Sequence, residues 1–508
     1  MTSNITATEL FHRVAYIATA TEVKPATLNK LMHETLVLTC AAGLAGTPDA
    51  IGSLFAKVDV LCKLKRIGMN DYFDIQKMRH DSNSAAPLQR EELLYDCRAL
   101  AVLISKVFDT DIPAELIGHI PMSRKPQPSM RHIDRRCVRC IVRAVKGYMV
   151  TVETAQDADQ KMLQVDCSEP RLQYLADLLQ AGTQVNLIDV APQQGQEACQ
   201  VRQVIVEPDF LIDISSLAAC FTPYGHSPFV YTLKRLKEAA NSQAILIGNF
   251  AGSALDDIIN KGEDYDWTVT FKSNFREKAL EYCTCQDLNK QTSFRLEARK
   301  QVENIQKAVD ALFQSTYDRH KAILEPSFVC EQMGLQGRID LMTTDLRLLV
   351  EQKSGKNFSL ETQRSTVHGS MLTEPHYVQL LLYYECLSRN FSLPYNSIDG
   401  RLLYSKYPMP MGLPRATYFR QLIDEAIQLR NQIVTTEFNI ARNGFNSIID
   451  ELDPLALRTQ KVNENFWNNY LYPQLCGVTE PLHDMDPLTH SYFCHMANFV
   501  YREQLASR

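Results

Sequence analysis

The chain has no run of about 18 apolar residues, which is the minimum for a helix that crosses a membrane. Its first residues, MTSNITATELFHR, lack both the basic start and the apolar core of a secretory signal peptide. Positive charge is not in excess, because 53 Lys and Arg against 59 Asp and Glu give a formal net charge of −6. We therefore expect a cytoplasmic protein with no membrane contact, in which only local basic clusters contact nucleic acid.

Two common cofactor signatures are missing or incomplete. There is no GxxxxGK[ST] loop, and the nearest string, QKSGKN, lacks the groups that cradle nucleotide phosphates, so we expect no ATP site. Only Cys137 and Cys140 have the CxxC spacing, and since no second pair follows to complete a zinc site, we interpret them as strand residues. The fourteen cysteines otherwise lie scattered in apolar segments, which is typical of reduced thiols.

The length of 508 residues allows about three domains. Apolar residues recur at intervals of three and four up to residue 125, which predicts a helical accessory region over 1–125. Part of this region could contact nucleic acid, but such a face is more often only solvated, and docking is the simpler role. The residues of this cluster are Lys63, Lys65, Arg66, Tyr72 and Phe73.

A proline-rich stretch, IPMSRKPQPSM at 120–130, forbids regular helix and marks a domain boundary. Beyond it, five short strands and one helix predict a small OB-like β-barrel over 131–212. OB-folds often bind single strands through basic grooves and aromatic platforms. The candidates for such contacts are Arg135, Arg136, Arg139, Arg143 and Tyr148. The barrel could guide DNA or only brace the rest of the chain, and the sequence leaves both roles open.

One predicted hairpin carries the candidate catalytic residues. Two apolar runs, 338–343 and 346–350, are separated by only two residues, so they predict adjacent strands joined by a tight turn. Glu351 and Lys353 then point to the same face of their strand, and Asp340 meets them from the neighbouring one. We therefore expect two carboxylates and one ammonium group to converge.

Converging carboxylates repel each other unless a cation lies between them. The carboxylate oxygens of Asp340 and Glu351, with the backbone carbonyl of Gln352 as a further ligand, suit Mg²⁺ or Mn²⁺ better than zinc. Lys353 would orient a water or stabilise charge on phosphate oxygens, so the pattern predicts hydrolysis of a phosphodiester. Taken singly, an ExK or a DLM sequence more often marks an ordinary strand.

The motif residues occur in the order Glu331, Gly337, Asp340, Glu351, Gln352, Lys353, Gln379 and Tyr383. This order resembles the PD-(D/E)xK nuclease superfamily in its RecB-like branch, which pairs GxxD with (D/E)xK and a helical QxxxY. Within that branch it is most similar to the nuclease half of the DNA replication ATP-dependent helicase/nuclease family (Dna-two type). The resemblance covers roughly residues 210–410.

The resemblance implies a restriction-endonuclease-like core over 213–410 and a helical tail over 411–508, within a mixed α+β (α/β) protein. It implies a metal-dependent deoxyribonuclease for single-stranded or flap DNA in replication or repair. The helicase partner would act in cis, if the chain is a fragment, or in trans. Gln379 and Tyr383 would position DNA or orient the catalytic groups, and Glu331, expected on the first core strand, would be an auxiliary metal ligand.

Two features of the family pattern are missing. Cys220 could match the first of the four cysteines that bind an iron–sulfur cluster in several relatives, but the later cysteines are too dispersed, so we expect no cluster. Gly248 is followed four residues later by Gly252, where relatives have a metal-binding histidine. Asp256 or His226 could replace that histidine, or the enzyme could be impaired.

Two rival functions therefore stay open. The first is a catalytically impaired nuclease-fold module that binds DNA or a helicase partner as a scaffold, and the second is an RNA-directed or defence-type nuclease.

The residues that would follow the phosphate backbone of a bound strand are Lys356, Gln363 and Arg364. Pro375 is expected in the first turn of the helix that carries Gln379 and Tyr383.

Overall fold

The structure is a computed structural model, and it describes residues 5–46, 53–83, 88–124, 135–154, 162–192, 198–238, 241–314, 316–362 and 371–507. It confirms the mixed α+β class, with helices and several separate sheets. Across these ranges, no helix combines the length and the apolar character that crossing a membrane requires.

The helices and strands are given in chain order. The helices are α1 (Ala7–Thr19), α2 (Pro25–Gly43), α3 (Leu54–Leu64), α4 (Met69–Ser82), α5 (Arg90–Phe108), α6 (Ala114–Ile117), α7 (Leu175–Leu178), α8 (Ile214–Ala218), α9 (Pro228–Leu236), α10 (Gln243–Lys261), α11 (Trp267–Glu277), α12 (Ala279–Thr284), α13 (Phe294–Phe313), α14 (Phe358–Thr362), α15 (Glu374–Phe391), α16 (Arg420–Asn443), α17 (Pro454–Leu457), α18 (Glu464–Phe466), α19 (Tyr472–His483) and α20 (Pro487–Ala506). The strands are β1 (Arg135–Lys146), β2 (Met149–Thr154), β3 (Met162–Asp166), β4 (Gln184–Pro192), β5 (Ala198–Gln200), β6 (Gln203–Val206), β7 (Ile212–Asp213), β8 (Phe221–Thr222), β9 (Gly225–His226), β10 (Ala322–Leu324), β11 (Ser327–Cys330), β12 (Leu335–Arg338), β13 (Leu341–Thr343), β14 (Leu348–Lys353), β15 (Asp399–Tyr404) and β16 (Arg415–Ala416).

The chain divides into two compact units. Unit 1 comprises residues 1–130, 357–373 and 409–417, and unit 2 comprises residues 131–356, 374–408 and 418–508. Unit 2 therefore holds both the segment predicted as a barrel and most of the segment predicted as a nuclease core. The predicted domain limits at 212 and 410 stay predictions.

Helices α1 to α6 of unit 1 pack around one apolar core. Helix α5 lies at its centre because Leu100, Leu103 and Ile104, which share one helix face, are fully buried. Both lysines of the predicted basic cluster contact other residues of this unit. Lys63 Nζ lies 3.2 Å from Asp59 Oδ2, and Lys65 Nζ donates to the carbonyl of Val107 over 2.8 Å. These contacts favour a structural role for the cluster.

A six-stranded sheet opens unit 2, with the strand order β1-β2-β3-β5-β4-β6. Strand β1 also pairs with β4, so successive pairings run from β1 through β2, β3, β5 and β4 and return to β1. The residues of β1 alternate, with Val138, Cys140 and Val142 buried in the core of this sheet. Cys137 is on the opposite face from Cys140, as expected for two ordinary strand residues.

Arginines on β1 contact the protein itself. The guanidinium of Arg139 pairs with Asp209, and Arg143 Nε lies 2.6 Å from Glu153 Oε2. The guanidinium of Arg136 donates to Ser392 Oγ over 2.8 Å. These side chains therefore have partners of their own.

A second sheet in unit 2 has the order β10-β13-β14-β15. Strands β13 and β14 are antiparallel, whereas β14 and β15 are parallel. Strand β14 is fully buried at Leu348, Leu349 and Val350, as is usual for a strand covered on both faces. The predicted strand start at Leu346 is wrong, because Leu346 is in the left-handed region (φ +59°) and belongs to the turn.

A small sheet, in the order β11-β12-β7, joins this core, and α15 packs against β11, β15 and α8. Pro375 is the second residue of α15, which confirms its expected place in the first turn. Helices α10 and α13 pack against each other. On α13, Gln301 Nε2 donates to the carbonyl of Ser354, just after β14, over 3.1 Å. Helix α13 thus holds the end of β14.

Candidate active site

The β13–β14 hairpin brings Asp340 and Glu351 together. Leu341 pairs with Val350, so the next residue outward on each side, Asp340 and Glu351, lie opposite each other where the pairing ends. The backbone N–H of Gln352 donates to Asp340 Oδ2 over 2.6 Å, which fixes the Asp340 carboxylate against β14. Asp340 itself lies in the bend just before β13, and not within a strand.

Glu351 is deeply buried, with only 3% of its surface exposed. Its Oε1 accepts hydrogen bonds from Lys353 Nζ over 2.8 Å and from Gln379 Nε2 over 2.7 Å. Its Oε2 is buried and has no hydrogen-bond partner among the residues that the structure describes. One oxygen of the carboxylate thus accepts two hydrogen bonds, whereas the other accepts none from the described residues.

The environment of both carboxyl groups favours the protonated form. Burial, and next the negative charge of Asp340, raise the pKa of Glu351 from 4.5 to about 7, although Lys353 and Gln379 oppose this. Burial also raises the pKa of Asp340, while the N–H of Gln352 and the charge of Lys353 act in the other direction. Two carboxyl groups with raised pKa values in one place are the pattern expected of a functional site.

Helix α15 supplies both residues of the QxxxY motif. Gln379 reaches Glu351, whereas the hydroxyl of Tyr383 donates to the carbonyl of Arg338 over 2.5 Å. Gly337 makes this possible, since a Cβ at its position would lie 3.0 Å from the Tyr383 hydroxyl. The two side chains therefore orient the carboxylates, one directly and the other through the backbone two residues before Asp340.

The structure places Glu331 elsewhere. It is exposed, and it lies in the turn that follows β11, so the prediction that it sits on the first core strand is wrong. The β11–β12 pairing joins Cys330 to Leu335 at this turn and Ser327 to Arg338 at the other end. Because Asp340 follows Arg338, Glu331 is at the opposite end of the hairpin from the site. The sequence could not show this, since it depends on strand register.

Helix α10 carries the position of the missing histidine. A Cβ on Gly252 would meet nothing within 4 Å, whereas one on Gly248 would lie 3.3 Å from Ser354 Oγ. Asp256 lies one turn beyond Gly252 on the same face. Burial, followed by the charges of Glu325 and Asp340, raises the pKa of Asp256 to about 6. Asp256 therefore belongs to the electrostatic surroundings of the site.

His226, the other candidate replacement, has different contacts. Its ring lies 4.3 Å from the ring of Phe221, and its Nε2 lies 3.3 Å from Glu374 Oε2 and 3.4 Å from Gln460 Nε2. These contacts occupy the ring and explain His226 as a residue of local structure.

Two residues near the site were missed by the sequence analysis. The first is His376, which is largely buried, with Nδ1 3.1 Å from the Tyr404 hydroxyl. Burial, and next the charge of Lys353, lower its pKa to about 3, so the imidazole is neutral at physiological pH. A signal existed, because His376 precedes Gln379 by three residues and so shares its face of α15.

The second is Glu325, whose backbone N–H donates to the carbonyl of Asp340 over 3.0 Å. Its carboxylate lies 3.0 Å from the guanidinium of Arg338, and its backbone is in the left-handed region (φ +49°). Glu325 thus connects the segment after β10 to Asp340 and to Arg338, which lies two residues before it. No local pattern in the sequence singles it out, because the contact depends on the pairing of β10 with β13.

The donor set fits a hard divalent cation. Asp340 and Glu351 offer carboxylate oxygens, and the unpartnered Oε2 of Glu351 is the acceptor that a cation would satisfy. In the described parts of the chain, three or more His, Cys, Asp or Glu side chains do not gather into a group that could hold a metal. Two carboxylates suit Mg²⁺ better than a metal that needs a complete protein cage, because Mg²⁺ keeps several waters.

Among the remaining candidates, Lys356 is exposed, and Gln363 and Arg364 lie outside the described residues. Cys220 is a buried free thiol whose Sγ donates to the carbonyl of Ser216.

The chain matches no protein-family model and no curated protein. The resemblance to RecB-like nucleases therefore rests on the motif residues and their spacing.

Proposed function

We propose that this chain is a divalent-metal-dependent nuclease of the PD-(D/E)xK type that hydrolyses phosphodiester bonds in single-stranded or flap DNA. The observation that carries the proposal is the unpartnered Oε2 of Glu351, buried beside the carboxylate of Asp340. A buried polar atom without a partner costs on the order of 1 to 3 kcal/mol, so its presence in a fixed site calls for a ligand.

Asp340, Glu351 and the backbone carbonyl of Gln352 would hold Mg²⁺ or Mn²⁺. When bound, such an ion polarises the phosphate and lowers the pKa of the attacking water. The ammonium of Lys353 is partly exposed, whereas the carboxylate it contacts is buried, so Lys353 can meet a phosphate oxygen from the solvent side. Gln379 and Tyr383 act as positioning residues, since their hydrogen bonds fix Glu351 and the backbone before Asp340.

We propose an OB-like barrel followed by a restriction-endonuclease-like core as the fold of unit 2. The return of the strand pairings to β1 supports the barrel. Its role is to brace the core, because the guanidinium of Arg202, between β5 and β6, lies 3.2 Å from the buried Glu385 of α15. Asp189 of β4 likewise lies 2.6 Å from Arg389 of α15. Barrel residues thus anchor the helix that carries Gln379 and Tyr383.

A scaffold without catalysis is the second candidate. It is favoured by Gly252 at the position of the histidine and by the hydrogen bonds that Lys353 and Gln379 already make to Glu351 Oε1. In this case the chain binds DNA or a helicase without cutting. A role in replication or repair with a helicase, in cis or in trans, follows from the motif resemblance in either case.

The test is cleavage of labelled single-stranded DNA, flap DNA and matched RNA in Mg²⁺ or Mn²⁺. The intact chain is compared with Glu351→Gln and Lys353→Met, and with Glu331→Gln as a matched acidic control away from the site. We expect the first two variants to lose at least about 100-fold in rate while the control keeps full activity. An intact chain that binds the strands but cuts none of them would establish the scaffold instead, and preference for RNA would assign the defence-type alternative.

A further inference from the structure

The last helix, α20, exposes a continuous apolar face. The side chains of this face, with their exposed fractions, are Leu488 (80%), Tyr492 (68%), Met496 (46%), Phe499 (57%) and Val500 (45%). They recur at intervals of three or four residues along most of the helix, so they share one side of it. We call these five residues the α20 stripe. Single exposed apolar residues are normal, but a contiguous row of this kind marks an interaction site.

The opposite face of α20 is packed, so rotation of the helix cannot bury the stripe. The ring of Phe493 meets that of Phe445 edge to face at 5.3 Å, and the buried Tyr501 lies 6.0 Å from the same ring. Arg502 Nε donates to the carbonyl of Ala441 at the end of α16 over 3.0 Å. The stripe therefore faces solvent because the rest of the helix is held in place.

We propose that the α20 stripe is an interface between two copies of this chain that are related by a two-fold axis. Such an interface needs only one self-complementary surface, and two-fold dimers are the commonest oligomers of soluble proteins. The proposal is independent of the nuclease activity, since the stripe contains no residue of the site.

The charge pattern allows a second copy to pair with the stripe. No Asp, Glu, Lys or Arg lies between Asp486 and Arg502, so two stripes meet without repulsion between like charges. Asp486 is at the start of the helix, and Arg502 and Glu503, which carry opposite charges, are near its end.

The area of the stripe is close to what a stable dimer needs. The five side chains, two of them aromatic, offer on the order of 600 Å² of accessible surface. A standard interface buries about 800 Å² on each partner, and the exposed Ser491 and His495 beside the stripe supply further contact area. The aromatic and Met content is also typical of interface centres.

Sedimentation velocity of the full chain over a wide concentration range tests the proposal. We expect the intact chain to dimerise, and the double substitution Tyr492→Glu with Met496→Glu to give a monomer with an unchanged circular dichroism spectrum. Leu280→Glu, which changes a 78% exposed leucine on α12, is the matched control and should remain a dimer. If the double variant does not fold, Phe499→Glu takes its place and should also give a monomer.

Two outcomes would overturn this assignment. In the first, the intact chain stays monomeric at its highest attainable concentration, whether or not another protein binds the stripe. In the second, the dimer persists in the folded stripe variants, which would assign the interface to another surface.

Discussion

Glu385 and Glu351 are both buried in unit 2, and their surroundings differ in one decisive respect. Glu385 of α15 is fully buried, and both of its oxygens are bonded. Arg389 and Tyr395 donate to Oε1 over 3.0 and 3.3 Å, and Arg202 donates to Oε2 over 3.2 Å. Glu351 is buried nearly as deeply, yet its Oε2 has no partner in the described structure.

If the proposed metal site is right, the difference separates a carboxylate that stabilises the fold from one that binds an ion. Around Glu385 every carboxylate oxygen is matched by a cation or a hydroxyl, so these contacts fix α15 to the six-stranded sheet. Around Glu351 a single ammonium faces two carboxylates, those of Glu351 and Asp340. In the proposed metal site, the bound ion would supply the missing positive charge.

The largest expected effect comes from removing Glu385 from the matched cluster, which is the group of Glu385 with Arg202, Arg389 and Tyr395. Glu385→Ala leaves Arg202 and Arg389 without their shared carboxylate in a buried place, and we expect it to lower the free energy of unfolding by about 3 to 5 kcal/mol. Urea unfolding followed by circular dichroism measures this change. A loss below that of an ordinary surface substitution would mean that the network does not hold α15.

The opposite result is expected at Glu351. Because its pKa is about 7 in the folded protein against 4.5 ordinarily, the folded state holds the proton more tightly. This contribution to stability is fully present below pH 4.5 and is lost as the pH rises through 7. In metal-free buffer at pH 8, Glu351→Gln should therefore be more stable than the intact chain, by on the order of 3 kcal/mol.

The measurement is urea unfolding with EDTA at a series of pH values. The stability of the intact chain should fall between pH 5 and 8, and the fall should be much smaller in Glu351→Gln. Equal pH dependence in the two proteins would show that Glu351 does not have the raised pKa.

A smaller effect is expected at Tyr383. Tyr383→Phe removes the hydrogen bond to the carbonyl of Arg338, at a cost of about 1 to 2 kcal/mol, and releases the backbone before Asp340. Tyr384→Phe is the matched control, because the hydroxyl of Tyr384 also bonds backbone groups, at Ile398 and Gly400. Both should lose stability, but only Tyr383→Phe should weaken Mn²⁺ binding. Equal Mn²⁺ affinities would reduce Tyr383 to a packing residue.

The smallest effect is expected at Gly252. Gly252→His should raise stability by a few tenths of a kcal/mol, because glycine is a poor helix former and the position has room for a side chain. If α10 faces the metal here as the motif resemblance implies, the new imidazole should also tighten Mn²⁺ binding. Gly252→Ala is the control, and the same Mn²⁺ affinity in both variants would show that the position does not face the ion.

The sequence predicted the elements of the site better than their connections. The alternation around Glu351 and Lys353 and the spacing of Gln379 and Tyr383 are local patterns, and both appear in β14 and α15. The misplacement of Glu331 has a different origin, since the register of β11 with β12 decides which end of the hairpin it occupies. Register is set by tertiary packing, and a single strand does not encode it.

The matched cluster was invisible in the sequence for a related reason. Arg202 and Glu385 are 183 residues apart, and each alone is typical of a solvated surface residue. Only the docking of α15 against the six-stranded sheet removes both from water. The same limit applies to Glu325, which reaches Asp340 through the pairing of β10 with β13.

Calorimetric titration of Mn²⁺ into the metal-free chain at pH 8 tests whether the Asp340 and Glu351 carboxylates bind a metal ion. If Asp340 and Glu351 form a metal site, the intact chain binds Mn²⁺ and releases any proton that Glu351 retains, while Glu351→Gln binds far more weakly and Glu331→Gln behaves like the intact chain. Equal binding by the intact chain and Glu351→Gln, or no binding by either, would contradict the account.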